Sequence, residues 1–444
     1  MTAPVFGAPR EGEPRPDFSA EDVDALADDL LAILGPRGVS SLPRAIARAS
    51  RDGSGMSPIL SAQDLGSPDL VCYPRTSAMV VEIVRAAVRR GVPITTRGKG
   101  TGNYGQVVPR FGGLVMDMTS LTEVVSVTDR SITAGAGARM ITLEQAAWDN
   151  GSQLWMYPST VQSSLGGFLA GGSAGTGTIV HGRNHSGFVD ALDVVYATED
   201  AELVHLDGDD AQPLVHTYGV AGVIVGASVR VEPLQDWRCV YASFDDHHEA
   251  FAAAYELSRV DPAPRLLSAD RAEVVEALPS DPALVTGRAS VRGIIDATCL
   301  DRVCDTLTSA GGRIEAVRDG IAASIKLSTL SYNHPTWWLQ KAQPDKWFHM
   351  ECQGDALVTR LDEVEQVYDG AMVHLEVGHE TMFGMINGIY HSPDQIVAGI
   401  AELERLGIGV HSPHQWYVDL DADRVKALAA QTDPKGLLNP GRWM

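Results

Sequence analysis

The run RGKGTGNYGQ at residues 97–106 constrains this chain more than any other stretch. A short apolar segment from Val92 to Thr96 precedes it, and a second, Leu114 to Met118, follows; both read as strands. Four glycines in ten residues let the backbone pass close to a ligand and adopt positive φ, where a Cβ would clash. Successive backbone N–H groups exposed this way form an anion-binding nest suited to a diphosphate. Gly98, Gly100, Thr101, Gly102 and Asn103 supply that nest, and Arg97 and Lys99 make the local potential positive. A nicotinamide-binding turn would need GxGxxG opening a helix, with an acidic residue ending the next strand; no helical pattern follows here. A nucleotide-hydrolysing loop would need GK[ST], which is absent.

A second glycine-rich segment, YPSTVQSSLGGFLAGGSAGTGTIVHG, occupies 157–182, and the chain closes with DPKGLLNPGRW from Asp433. In this order and spacing the three segments resemble the flavoprotein family that includes vanillyl-alcohol oxidase, glycolate oxidase subunits and D-lactate dehydrogenases. The likeness covers residues 66–235 and the tail. It implies a PCMH-type FAD-binding domain with the first loop on the cofactor's diphosphate. Pro158, Ser164, Gly166, Gly167, Gly172, Ala174 and Gly175 would then lie against the isoalloxazine and ribityl chain, with Ser164 able to donate to phosphate. The backbone at Val223 and Ile224 would read the adenine. Asn439 and Arg442 would return with the tail to the flavin, Arg442 near its pyrimidine edge. Covalent members attach the flavin through a histidine in the first loop or a cysteine in the second. Thr101 and Tyr157 stand at the matching positions, so a noncovalent flavin is expected, with a link from a cap-domain histidine left open.

At 444 residues the chain exceeds one ordinary core. Four segments are expected: an N-terminal arm and helices (1–65), the FAD-binding domain (66–235), a cap or substrate domain (236–425) and the return of the tail (426–444). The proline-rich start, MTAPVFGAPREGEPRP, lacks the apolar stretch of a secretory signal, so a mobile arm and a cytoplasmic protein are expected. A net charge of −22 disfavours nucleic acid and anionic membrane surfaces as partners. Five cysteines without CxxC spacing read as buried thiols, and no metal site is expected. His374 and Glu376 share one strand face, without an evident third ligand. A homo-oligomer stays open.

Periodicity predicts helices over Phe18–Leu34, Leu42–Ala49, from Thr76 to Gly91, and over Leu143–Trp148, with a turn at Gly166–Ala170. Strands at Ala191–Ala197, Glu202–His205 and Gly222–Val231 complete an α+β unit of two small subdomains holding a ligand between them. Beyond Pro233, helix-like stretches (His247–Ser258, Leu300–Ala310, Ala356–Val367, Pro393–Leu406) alternate with strands at Ser290–Ile295, Phe348–Gln353 and Met372–Val377. These read as an antiparallel sheet covered by helices, and they match the family's cap.

Two clusters in that region, TLSYNHPTWWLQ at 329–340 and GVHSPHQWYVD at 409–419, carry residues suited to moving a proton beside a flavin. Asn333, His334, His414 and Tyr417 are the candidates for the substrate side. Trp337, Trp338 and Trp416 read as packing or pocket wall. The expected activity is oxidation of a small alcohol, hydroxy acid or sugar by hydride transfer to FAD, with a slight lean to oxygen as acceptor. The alternatives are a dehydrogenase with another acceptor, a reductase fed by a nicotinamide donor, and a protein that holds FAD without turnover.

Overall fold

Three sheets organise residues 15–418 and 420–443, which this computed structural model describes. Of the N-terminal arm, residues 1–14 lie outside them. The first sheet has the order Val39–Ser40, Leu70–Cys72, Leu114–Asp117, Ile94–Arg97, and its last three strands are parallel. Helix Ser77–Arg90 makes the crossover. Thr76 Oγ1 accepts from the Met79 N–H at its start, and Gly91 ends it in the left-handed conformation at φ 68°. Val80, Ile83, Val84 and Ala87 recur at helical spacing and are buried against the sheet. Helix Ala20–Leu34 packs on it, started by a capping box between Ser19 and Asp22. The glycine loop therefore begins at the carboxyl end of a parallel strand.

The second sheet is antiparallel, in the order Val124–Val127, Ser131–Gly135, Val223–Pro233, Val189–Val195, Leu203–Asp207. Ser152–Leu154 pairs with the far end of the long central strand. Residues expected as a turn at Gly166–Ala170 instead form the helix Leu165–Gly171. Leu165, Phe168 and Leu169 are buried at helical spacing, which overrides the poor propensity of the glycines. Gly166 is needed because a Cβ there would sit 2.8 Å from Ala136 Cβ.

The third sheet has eight antiparallel strands: Arg313–Asp319, Trp237–Phe244, Ala289–Asp296, Leu266–Asp270, Met372–Val377, Met382–Ile389, Trp347–Gln353, Gly409–His411. Period-two alternation gives it two characters. Val240, Leu267, Val291, Phe348, Val373 and Leu375 enter an apolar core with helix His247–Leu257. Ser268, Asp270, Arg292, Glu351, His374 and Glu376 alternate with them on the opposite face. Five of its strands were not expected: Trp237–Phe244, Leu266–Asp270, Arg313–Asp319, Met382–Ile389 and Gly409–His411. LLSAD and MFGMINGI hide the alternation, because both faces of a central strand are covered and neither is solvent-polar. The stretch Ala356–Val367 holds two short helices, Ala356–Thr359 and Leu361–Glu365. The aromatic cluster at 333–342, for which no element was predicted, is the helix Asn333–Ala342. Among the described residues no helix is long and apolar enough to cross a membrane.

A buried ion pair ties the large sheet to the second sheet's helix Met140–Asp149. Arg265 Nη1 lies 2.8 Å from Glu144 Oε1, Arg265 Nη2 donates to Leu154 O, and both side chains are at most 2% exposed. Replacing Arg265 with leucine is expected to cost about 3–5 kcal/mol, since Glu144 would keep a buried charge without its partner. Denaturant unfolding of the two proteins measures this; a loss under ~1 kcal/mol would show that the pair is not a tie.

Candidate active site

The three sheets meet around a cavity of about 660 Å³, within the range of ligand sites. One wall is the first glycine loop, from Arg97 to Tyr104. A second is the Pro158–Ala174 segment, and a third comes from the large sheet and helix Asn333–Ala342. The two glycine segments face each other across a gap that side chains would close. A Cβ on Gly98 would lie 2.0 Å from Ser164 Oγ, and one on Gly167 would lie 2.9 Å from the same atom. Gly100 has φ 67°, and a Cβ there would strike the Arg97 guanidinium 2.1 Å away. Thr101 Oγ1 is 2.8 Å from Ser163 Oγ. Ser164 Oγ is buried and has no hydrogen-bond partner among the described residues. A polar atom buried this way calls for a ligand group to satisfy it.

Most of the residues expected at the cofactor line this cavity: Arg97, Gly98, Lys99, Gly100, Thr101, Gly102, Asn103, Pro158, Ser164, Gly166, Gly167, Gly172, Ala174 and Ile224. Four do not. Val223 points into the core of the first sheet, and Gly222 takes its place on the wall. Gly175 packs on backbone, its missing Cβ lying 2.0 Å from Tyr157 O. Asn439 Nδ2 donates to Gln106 O at 2.8 Å and to Tyr218 O at 2.6 Å, and Arg442 Nε donates to Asn439 Oδ1 at 3.1 Å. Asn439 and Arg442 thus brace the loops that face the cavity from behind.

Sequence reasoning missed two segments on the cofactor side. Asp52 and Gly53 reach the wall from the N-terminal segment, with Gly53 N donating to Gly102 O at 2.7 Å. Burial raises the Asp52 carboxyl above its ordinary range. The loop His216–Gly219 lines the wall too, with His216 and Tyr218 both at positive φ. RDGSG and HTYG carry no signal of a site in the sequence, and only the fold brings them to the cavity.

On the substrate side, Asn333 and His334 line the cavity as expected positions, with burial lowering His334 to about 4. His414 and Tyr417 do not reach the wall. His414 is fully buried behind it, its Nδ1 2.7 Å from Ser57 Oγ, and burial pushes it down to about 3. Tyr417 packs with Leu60 and Trp416. The chain turns between the short strand Gly409–His411 and His414, so it is His411 that faces the cavity. Its Nδ1 is 2.9 Å from Glu351 Oε2 and 2.8 Å from Tyr104 Oη, and all three residues line the wall. Burial works against the Glu351 carboxylate, but the hydrogen bond with His411 and the attraction of that ring when protonated outweigh it and hold the group below its ordinary range. The strand pairing Glu351↔His411 fixes the two in register. Glu351 and Tyr104 were not anticipated: Glu351 belongs to no recognisable cluster, and Tyr104 lies in the first glycine run, where the glycines carried the reading.

The shape suits FAD: a glycine cradle that any Cβ would fill, an orphaned Ser164 hydroxyl, and Arg97 and Lys99 beside it. Residues 68–207 match the family described as FAD binding domain. A D-lactate dehydrogenase of Archaeoglobus fulgidus is 26% identical over 201 residues, 43% of this chain and 45% of that protein, so the likeness spans less than half of that relative. Glycolate oxidase subunit GlcD of Bacillus subtilis is 23% identical over 436 residues, covering 84% of this chain and 88% of that one. The solved structure of an alkyldihydroxyacetonephosphate synthase superposes with a TM-score of 0.73 at 17% identity, over 99% of this chain and 89% of the other. Fold and cradle together are those of a flavoprotein. The chain carries a PCMH-type FAD-binding domain, and FAD is its cofactor.

The flavin is expected to be held without a covalent bond. Tyr157 is fully buried with its hydroxyl on Ser328 Oγ at 2.9 Å, and Thr101 offers no suitable nucleophile. Acid precipitation should release all of the yellow colour, and the intact chain should weigh the polypeptide alone. A mass heavier by one flavin would refute this and point to His216, His334 or His411 on the wall.

Proposed function

We propose that the protein is an FAD-dependent oxidoreductase that oxidises the C–H carbon of a small alcohol or hydroxy acid. The observation that carries this reading is the Tyr104–His411–Glu351 group, where the end of the first glycine loop meets the large sheet at the cavity wall. When bound, FAD supplies a two-electron acceptor for the hydride. The protein's own part is to hold the substrate carbon close and to take the hydroxyl proton. His411 keeps its Nδ1–H directed to Glu351 Oε2, so the imidazole can accept a proton while the carboxylate stabilises the cation that results. Tyr104 Oη, on the same Nδ1, orients the ring and reaches the cavity. Asn333 and the neutral His334 offer further polar contacts to the substrate. The apolar side chains of Trp338, Phe383 and Met385 exclude water around them.

Glycolate oxidase and D-lactate dehydrogenase, as the named relatives, favour a hydroxyl-bearing carbon. Anaerobic titration of the FAD-loaded protein with 2-hydroxy acids, primary alcohols and sugars tests the reading. Bleaching of the flavin by one of these classes is the expected result. A flavin that dithionite reduces but no compound bleaches would instead favour a protein that carries FAD without turnover, and bleaching by NADPH would favour a reductase. Admitting air to the bleached protein then separates oxidase from dehydrogenase by whether the colour returns at once.

A further inference from the structure

The face of the large sheet that looks toward the flavin domain carries four fully buried charged side chains. Arg292, Asp270, His374 and Glu376 are at most 1% exposed and form one chain of contacts. Arg292 Nη2 donates to Asp270 Oδ2. His374 Nδ1 is 2.8 Å from Asp270 Oδ1, and its Nε2 is 2.8 Å from Glu376 Oε1. Strand pairing sets these distances, since Asp270 stands opposite His374 and Ser268 opposite both Glu376 and Arg292. With both carboxylates ionised, a ring with each nitrogen on a carboxylate carries both hydrogens, so His374 is an imidazolium. Burial works against that charge, but the two carboxylates outweigh it and lift His374 to about 9. Two cations and two anions balance, which is how buried charge is tolerated.

The two ends of the network grip one short stretch of chain. Arg292 Nη2 donates to Leu330 O at 3.0 Å, and Glu376 Oε1 accepts from the Tyr332 N–H at 2.7 Å. Between them the backbone makes a sharp corner, with Tyr332 at φ 54° and ψ −127°. A tyrosine stays in that region only when its surroundings hold it there. Its hydroxyl donates to Gly175 O at 2.6 Å, in the second glycine segment. Helix Asn333–Ala342 starts at the next residue and brings Asn333, His334, Trp337 and Trp338 to the cavity.

We infer that Arg292, Asp270, His374 and Glu376 are positioning residues for the substrate wall. They hold the Tyr332 corner from which Asn333 and His334 are presented. This rests on the cavity being the substrate site, but the clamp itself is tested without a substrate. The groups facing His374 are Asp270 and Glu376, with Arg292 beyond Asp270 and Tyr332 beyond Glu376; its neighbour on strand Met382–Ile389 is the apolar Met385. The His374 pKa lies above its unfolded value, so its contribution is complete below pH ~6.5 and is lost as pH rises through about 9.

Hydrogen exchange of the FAD-loaded protein is the test. Glu376→Gln is expected to speed exchange in peptides covering 329–343 by about 10- to 100-fold, the loss of one charge-assisted hydrogen bond. Bound FAD and exchange in the first two sheets should stay at wild-type level. In the unaltered protein, protection of 329–343, corrected for intrinsic rates, should fall as pH passes 9 before the rest of the molecule changes. This second measurement needs no variant and decides the matter if Glu376→Gln does not fold. Unchanged protection of 329–343 in both, or an equal loss everywhere, would overturn the inference. With any compound that bleaches the flavin, Glu376→Gln should raise KM more than it lowers kcat. If none bleaches it, the proposed activity fails while the exchange data still judge the clamp.

Discussion

Replacing His411 with asparagine is expected to slow substrate-driven flavin reduction by about two to four orders of magnitude, the usual worth of a general base. Asparagine keeps a polar group near Glu351 but cannot accept the substrate proton at neutral pH. The cradle is built elsewhere, so the FAD content should not change. His414→Ala is the matched comparison. His414 is three residues further on and sits behind the wall on Ser57 Oγ at 2.7 Å. It should leave the reduction rate within a few-fold and cost about 1–3 kcal/mol of stability, from the buried Ser57 hydroxyl left with only the Leu60 N–H. Stopped-flow reduction and thermal melts of both variants separate the two roles. The reverse pattern, a slow His414→Ala and a normal His411→Asn, would return the chemistry to His414.

Gly98→Val is expected to strip the cofactor. The added Cβ would lie 2.0 Å from Ser164 Oγ and 3.3 Å from Ser164 Cβ, in the middle of the cradle. Ser164 opens the helix Leu165–Gly171, which is anchored through Leu165, Phe168 and Leu169, so it cannot retreat without dragging that helix. Affinity for FAD should fall by 100-fold or more, about 2.7 kcal/mol, while the circular dichroism of the apoprotein stays unchanged. Flavin fluorescence on titration with FAD gives the constant directly. Wild-type occupancy in Gly98→Val would mean that the cofactor does not pass between these two segments.

The glycine cradle was legible in the sequence because its signal is local. Gly98, Gly100 and Gly167 mark places where backbone must come close, and such places declare themselves by composition. Helices with one apolar face, such as Ser77–Arg90 and Pro393–Arg405, declare themselves in the same way. The substrate wall was not legible, because it depends on register. Glu351 faces His411 only because Trp347–Gln353 pairs with Gly409–His411, strands whose nearest ends are 56 residues apart in sequence numbering. The cluster HSPHQWY pointed to the right corner of the fold, yet a turn of three residues decides which histidine faces the cavity. Helix Asn333–Ala342 was hidden by its own aromatic residues, which favour strands when read without their partners. The buried four-charge network was hidden for the same reason: one carboxylate and one histidine on one strand face were visible, but not the strands that answer them.

The C-terminal stretch threads back under the first sheet and the glycine loop. Leu437 O accepts from Ile94 N, the Asn439 N–H donates to Ile94 O, and Asn439 Nδ2 grips Gln106 O, 333 residues earlier in the chain. A ribosome adding about 5–20 residues per second needs roughly 20 s to 1 min to travel from one partner to the other. During that interval the emerging polypeptide holds a cradle with its back wall missing. Nascent chains stalled at residue 430 should therefore bind FAD poorly, and cofactor loading belongs to the finished polypeptide rather than to its synthesis.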